Sequence, residues 1–220
     1  RTTGSTSTIS GRAVVHRMTT RLADALAALL ILLASCGAPF AHAAEEWDVT
    51  RLMETLSRTR ASEARFVERK FIALLDQPVE SSGELSYVAP DRLEKRTLKP
   101  KAESMILDGN MLTLERGGRK RSLPLSDYPE VGAFVESIRG TLSGDYSALQ
   151  RSYGIVLDGN AARWTLTLTP NAPRMAQIVQ KIRIAGSQGE VTSIEIFQAD
   201  GDRSQMSIER TGRAEKAPAS

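Results

Sequence analysis

The sequence predicts a mainly β fold with a few helices, in which an antiparallel sheet of about eleven strands curls over amphipathic helices. Three observations point there. From Glu63 onward apolar residues recur with a period of two, most clearly in RWTLTLT, where Trp164, Leu166 and Leu168 face one way and Thr165, Thr167 and Thr169 the other. The apolar runs are separated by Asp108-Gly109, Gly117-Gly118, Asp158-Gly159 and Asp200-Gly201, dipeptides whose tolerance of positive φ marks hairpin turns. Helical periodicity interrupts the strands over only one sizeable stretch, residues 131–142.

The first 44 residues read as material to be removed. Residues 1–17 precede Met18 and read as upstream translation, and residues 18–44 read as a secretory signal peptide. Arg21 supplies its basic end, residues 25–34 its apolar run and Ala41-His42-Ala43 its small-x-small cleavage site. That run is well short of the roughly 20 apolar residues that span a bilayer. Leu33-Ala34-Ser35-Cys36 has the form of a lipobox, so the alternative is a lipid anchor on Cys36. A folded segment starting near Asp48 leaves little length for a polar tether, which favours cleavage after Ala43 or Ala44 and a soluble periplasmic protein. Residues 45–210 then form one domain and 211–220 a flexible tail.

The domain opens with a short amphipathic helix. Asp48 is its N-cap, Val49, Leu52, Met53 and Leu56 its stripe, and Trp47 a staple against Leu52. Strands are expected over residues 64–74, 80–88, 92–98, 104–107, 111–116, 119–123, 153–157, 163–169, 181–185, 191–199 and 203–210. Between the sixth and seventh lies the longer helix, capped by Ser126 or Asp127, with Pro129 in its first turn, a stripe of Val131, Phe134, Val135, Ile138 and Leu142, and Gly144 at its end. Shorter helical turns are expected over residues 145–149 and 173–179.

A one-sided sheet of this size must curl or pair with a second sheet. Curling makes the apolar face concave, and two amphipathic helices fill it only in part, leaving a hydrophobic cavity under a helical cover. Periodicity alone is met more simply by a well-filled barrel core.

Composition removes several kinds of chemistry. Without residues 1–44, the 29 basic and 26 acidic residues become 25 and 25, so no whole-molecule field steers the chain onto nucleic acid. His16, His42 and Cys36 all lie in the leader, which leaves the remainder with no histidine or cysteine for transition-metal sites, for most nucleophilic triads or for disulfides. Asp200-Gly201-Asp202 lacks the further oxygen ligands of a calcium cage and reads as a turn. Aspartates and glutamates fall mostly in turns and on outward strand positions, so no acid or base stands out for hydrolysis.

The stretch GELSYVAPDRLEKRTLKPKAESMILDGNMLTL, residues 83–114, resembles the periplasmic outer-membrane lipoprotein carriers of the LolA and LolA-like family. That family shows a Gly-x-Leu strand, a proline, a second proline ten residues later, a short apolar strand, and Asp-Gly followed by leucine. Gly83 and Leu85, Pro90, Pro100, Met105 with Ile106 and Leu107, Asp108-Gly109 and Leu112 stand at those spacings. ARFVERKF is similar to the family's first strand and FQADGDRSQMSIE to its late hairpin. The chain departs from the family at Ala89, where a basic residue is usual, at Lys95, where tryptophan is usual, and at Thr113, Leu114 and Glu115, which replace an aromatic run. These departures put different chemistry at the cavity mouth.

The resemblance implies an incomplete antiparallel barrel closed by helices over an apolar cavity, with no cofactor and no enzymatic activity. It implies a monomeric carrier that shields the acyl chains of a lipoprotein or other lipid cargo, accepts it from an inner-membrane transporter or exporter and passes it to an outer-membrane acceptor. A lipid-sensing regulatory module of the same fold is the alternative. Phe66, Leu85, Leu112, Leu114, Phe134, Ile138, Trp164, Leu166, Leu168 and Ile196 are the candidate cavity residues, Trp164 being expected beneath the covering helix. Arg92, Lys95 and Arg96, with Arg119, Lys120 and Arg121, form a candidate basic docking patch if their strands are neighbours, or else charges that protect edge strands from aggregation.

Overall fold

Residues 47–212 are described by a computed structural model in which eleven strands make one antiparallel sheet. The strands are β1 (Ala61–Phe71), β2 (Val79–Val88), β3 (Arg92–Lys99), β4 (Glu103–Asp108), β5 (Met111–Arg116), β6 (Arg119–Pro124), β7 (Tyr153–Asn160), β8 (Arg163–Pro170), β9 (Val179–Ser187), β10 (Glu190–Gln198) and β11 (Arg203–Gly212). Their order, β6-β5-β4-β3-β2-β1-β11-β10-β9-β8-β7, is two meanders joined where the first strand pairs with the last. β6 and β7 are the free edges, so the barrel is incomplete. The expected leader, its cleavage site and Cys36 lie outside the described residues.

Four helices accompany the sheet: α1 (Val49–Ser57), α2 (Pro129–Ser143), α3 (Tyr146–Ser152) and α4 (Pro173–Ala176). Asp48 caps α1 through a 2.8 Å bond from the Arg51 N–H to its carboxylate. Because β6 and β7 lie at opposite edges of the sheet, the one connection between them carries α2 and α3. Ser126 and Asp127, the expected caps of α2, instead lie in a 3-10 turn over Leu125–Asp127. Tyr128 takes the N-cap position without a side-chain bond, and Pro129 opens the helix, where its missing N–H costs nothing. Gly144 ends it in the left-handed region, at φ 71°.

Three further expectations need correction. β1 begins and ends three residues earlier than 64–74, because the apolar run after Phe71 turns away. The Asp202 carboxylate accepts the Ala73 N–H at 2.9 Å, and Leu74 is left 95% exposed. Asp158-Gly159 is not a turn: β7 runs through it to Asn160, whose side-chain oxygen accepts the N–H groups of Ala162 and Arg163 at 3.0 and 3.2 Å and so sets the turn two residues later. At the other end, Thr211 and Gly212, expected in the tail, belong to β11, and Gly212 pairs with Glu63. Asp200-Gly201-Asp202 is a hairpin turn, with the Asp202 N–H on the Asp200 carboxylate at 3.0 Å.

The concave face is packed unevenly. Leu52, Met53 and Leu56 of α1 and Leu149 of α3 form one buried cluster with Trp164, Leu166 and Leu168 of β8 and Ile182 and Ile184 of β9. Trp164 lies across Gly186, its partner in register, where a methyl group would fall 2.3 Å from the indole ring. Its N–H donates to the Gln188 carbonyl at 2.9 Å, so the one polar atom of this large side chain is satisfied. A second cluster, Leu107, Leu112 and Leu125, pins the start of α2 to the far meander. We expect Leu166→Ala, in the filled cluster, to cost about 2–5 kcal/mol in urea denaturation, and Ile196→Ala, on a wall that already borders empty space, about 1 kcal/mol or less.

Candidate functional site

Between the two clusters the concave face is not filled. A cavity of about 570 Å³ lies between α2 and the wall formed by β1–β5, β10 and β11, within the roughly 300–1,000 Å³ usual for small-molecule pockets. Helical spacing places Val131, Phe134, Val135, Ile138 and Leu142 of α2 on it together. Strand alternation does the same for Leu93, Ile194, Ile196, Met206 and Ile208. Val131 and Ile178 line the cavity and are still 40% and 48% exposed, so it opens to solvent through an apolar rim.

The cover is tied down on both sides. The buried Tyr153 hydroxyl of β7 donates to the Ala133 carbonyl at 3.0 Å, and Arg139 donates to the Gly109 carbonyl in the β4–β5 turn at 2.9 Å. Burial pushes the Tyr153 phenol up to about 12, partly opposed by a hydrogen bond involving Ser137, so it remains a proton donor throughout the physiological range.

The cavity wall carries one buried polar cluster that sequence reasoning missed. Glu68 follows Ala64 and Phe66 at period two and therefore points inward, against the expectation that carboxylates fall in turns or face out. Its carboxylate accepts hydrogen bonds from the Ser204 hydroxyl at 2.6 Å and from the Lys95 ammonium at 2.5 Å, with Lys70 at 3.9 Å. Burial raises its pKa, but the bonds from Lys95 and Ser204 and the charges of Lys95 and Lys70 outweigh that, so the carboxyl titrates below its ordinary range. The Lys95 ammonium also lies 4.9 Å from the centre of the Phe66 ring.

Of the candidate cavity residues, Leu85, Leu112, Phe134, Ile138 and Ile196 line the space. Trp164, Leu166 and Leu168 lie in the filled cluster, where α1 covers them, and Phe66 is buried beneath Lys95. Leu114 is 38% exposed near the β6 edge, which has no strand beyond it. The candidate docking residues do not come together. β3 and β6 are separated by β4 and β5, and Lys95 and Arg121, in one row of the sheet, stand three strand spacings apart, about 14 Å. Alternation sends Arg92, Arg96 and Lys120 to the outer face, and Lys95, Arg119 and Arg121 to the face of the cavity. Arg92 pairs with Asp108 at 2.6 Å and Arg96 with Glu94 at 3.1 Å.

Residues 41–219 match the family described as outer membrane lipoprotein carrier protein LolA-like. The outer-membrane lipoprotein carrier protein of Pseudomonas entomophila (strain L48) is 25% identical over 202 residues, covering 89% of this chain and 92% of that protein. That of Dechloromonas aromatica (strain RCB) is 24% identical over 191 residues, covering 86% and 88%. A crystal structure of a LolA superfamily protein from Nitrosomonas europaea superposes with a TM-score of 0.43 at 11% identity, covering 76% of this chain and 93% of its own. The chain belongs to the LolA-like family of outer membrane lipoprotein carriers, as a divergent member. Membership gives it the family's general role as a periplasmic lipid or lipoprotein carrier, without catalysis.

The Glu68 cluster should be visible in stability. Glu68→Gln leaves the partly buried Lys95 without its counter-charge and should cost roughly 3 kcal/mol, while Glu68→Leu with Lys95→Met should cost much less or nothing. Because the folded-state pKa of Glu68 is lowered, its stabilisation is complete above the unfolded value of about 4.3 and is lost as pH falls through the folded value. Denaturation curves of the wild type and Glu68→Gln should therefore differ by a constant amount above about pH 5.5 and converge in acid.

Proposed function

We propose that the cavity shields the acyl chains of a lipoprotein or similar lipid-like cargo while the protein carries it between membranes. On this reading the cargo arrives from an inner-membrane transporter or exporter and leaves for an outer-membrane acceptor. The observation that carries the proposal is an apolar cavity of about 570 Å³ beneath a pinned amphipathic helix, in a member of a lipoprotein carrier family.

The energetics are adequate. Burial is worth about 0.8 kcal/mol per methylene, so a sixteen-carbon chain gains about 12 kcal/mol before entropy and cavity costs. An affinity of that order means that release depends on handover to a better site. The exposed rim residues Val131 and Ile178 give a chain a continuous apolar path out of the cavity. Phe134 lines the cavity from the underside of α2 and also packs on the filled cluster, so it senses both cargo and cover.

Titration of delipidated protein with a pyrene-labelled acyl chain should show saturable binding, and native mass spectrometry of protein recovered from cells should show bound lipid. Phe134→Glu places a charge on the cavity ceiling and should weaken the pyrene signal at least about tenfold while circular dichroism still reports a β-rich fold. Absence of saturable binding by the wild type, together with no copurifying lipid, would sink the proposal.

A further inference from the structure

We propose that the cargo carries an anionic headgroup, a carboxylate or a phosphate ester, bound in the cavity by Lys95 and Lys70 beside Glu68. The inference rests on the acyl-carrier reading and specifies the ligand of that same cavity.

The argument is one of charge and of unused hydrogen bonds. Six charged residues line the cavity, and three of them are paired outside the Glu68 cluster. Arg210 bonds Glu190 at 2.7 Å, and Glu94 bonds Arg96 at 3.1 Å. What remains is one carboxylate, Glu68, facing two ammonium groups, Lys95 at 2.5 Å and Lys70 at 3.9 Å. The cluster therefore carries one excess positive charge on an otherwise apolar wall, where an uncompensated charge is far costlier than in water.

The carboxylate is the saturated partner. One of its oxygens takes the Ser204 hydroxyl and the other takes Lys95, with the Ser81 hydroxyl at 3.5 Å. Lys95, in contrast, has three N–H donors and, among the described residues, Glu68 as its only hydrogen-bond acceptor. The groups with capacity to spare are cationic, so the complementary ligand is an anion and not an amine. Lys95 is 21% exposed and Lys70 54% exposed, so both can be reached from the cavity and its mouth, whereas the Glu68 side chain is 6% exposed. Ile196 and Met206, on the strands that flank Ser204 and Glu68, offer apolar surface beside this point for the tail.

The test compares dodecanoate, dodecyl phosphate, dodecanol and dodecylamine binding to delipidated protein by calorimetry, so that the tail is constant and only the head changes. One or both anions should bind about tenfold tighter than dodecanol, and dodecylamine most weakly. Whether dodecanoate or dodecyl phosphate leads assigns the headgroup. Lys95→Met should bring the anions level with dodecanol. Lys70→Met alters a half-exposed side chain 3.9 Å from Glu68, and should reduce the preference for anions severalfold even if Lys95→Met fails to fold. Binding of both anions no tighter than that of dodecanol, tightest binding of the amine, or a preference untouched by these variants would overturn the headgroup assignment while leaving the carrier in place. If none of the four compounds binds, the carrier reading fails and this inference falls with it.

Discussion

The structure turns on a mismatch of areas. One antiparallel sheet of eleven strands, apolar on a single face, presents more concave surface than its helices can cover. α1 and α3 are spent on β8 and β9, where Trp164 and its leucine neighbours make a dry, filled cluster. The rest of the face is left mainly to α2, with Leu56 of α1 and Met175 of α4 at its margin, and this cover leaves a space. The cavity is therefore a consequence of topology. The connection that bridges the open edges carries α2 over this region, while its second helix, α3, packs on the filled cluster.

That division separates stability from function within one domain. The filled half supplies the cooperative core and the empty half holds the proposed binding site, so side chains on the same continuous sheet have different surroundings. The cover is tied through Tyr153 and Arg139 to structure on either side of it, which keeps the cavity formed without cargo inside. A preformed cavity lowers the ordering cost of binding, and its rim is apolar and open to solvent.

The Glu68 cluster runs against the economy of the rest. A buried ion pair adds less stability than apolar residues of the same size, because desolvation consumes most of the Coulombic gain. Here the carboxylate keeps its charge only through Lys95 and Ser204, drawn from strands on either side of β1, and Phe66 stacks beneath the ammonium. Lys95 stands where the resemblance to the carrier family leads one to expect tryptophan. An aromatic ring at that point would extend the apolar wall; a lysine gives the wall a charge.

Much of the fold was legible in the chain because it is local. Period-two alternation locates every strand, and Asp48, Pro129 and Gly144 mark helix ends through bonds and dihedrals within a few residues. Local signals also misled where a competing one lay nearby: Asn160 outbid Asp158-Gly159 for the turn, and Asp202, distant in sequence, ended β1 before Leu74. Alternation by itself determined that Leu166 and Ile196 would face inward. It did not determine that one would be sealed by α1 and the other left beside a void, since that depends on where helices land on the sheet. Nor did it assemble Glu68, Lys70, Lys95 and Ser204, which come from β1, β3 and β11, strands that only the sheet order brings within reach of one another. Face is set by the backbone's own period; filling and charge pairing are set by contacts between segments far apart in the chain.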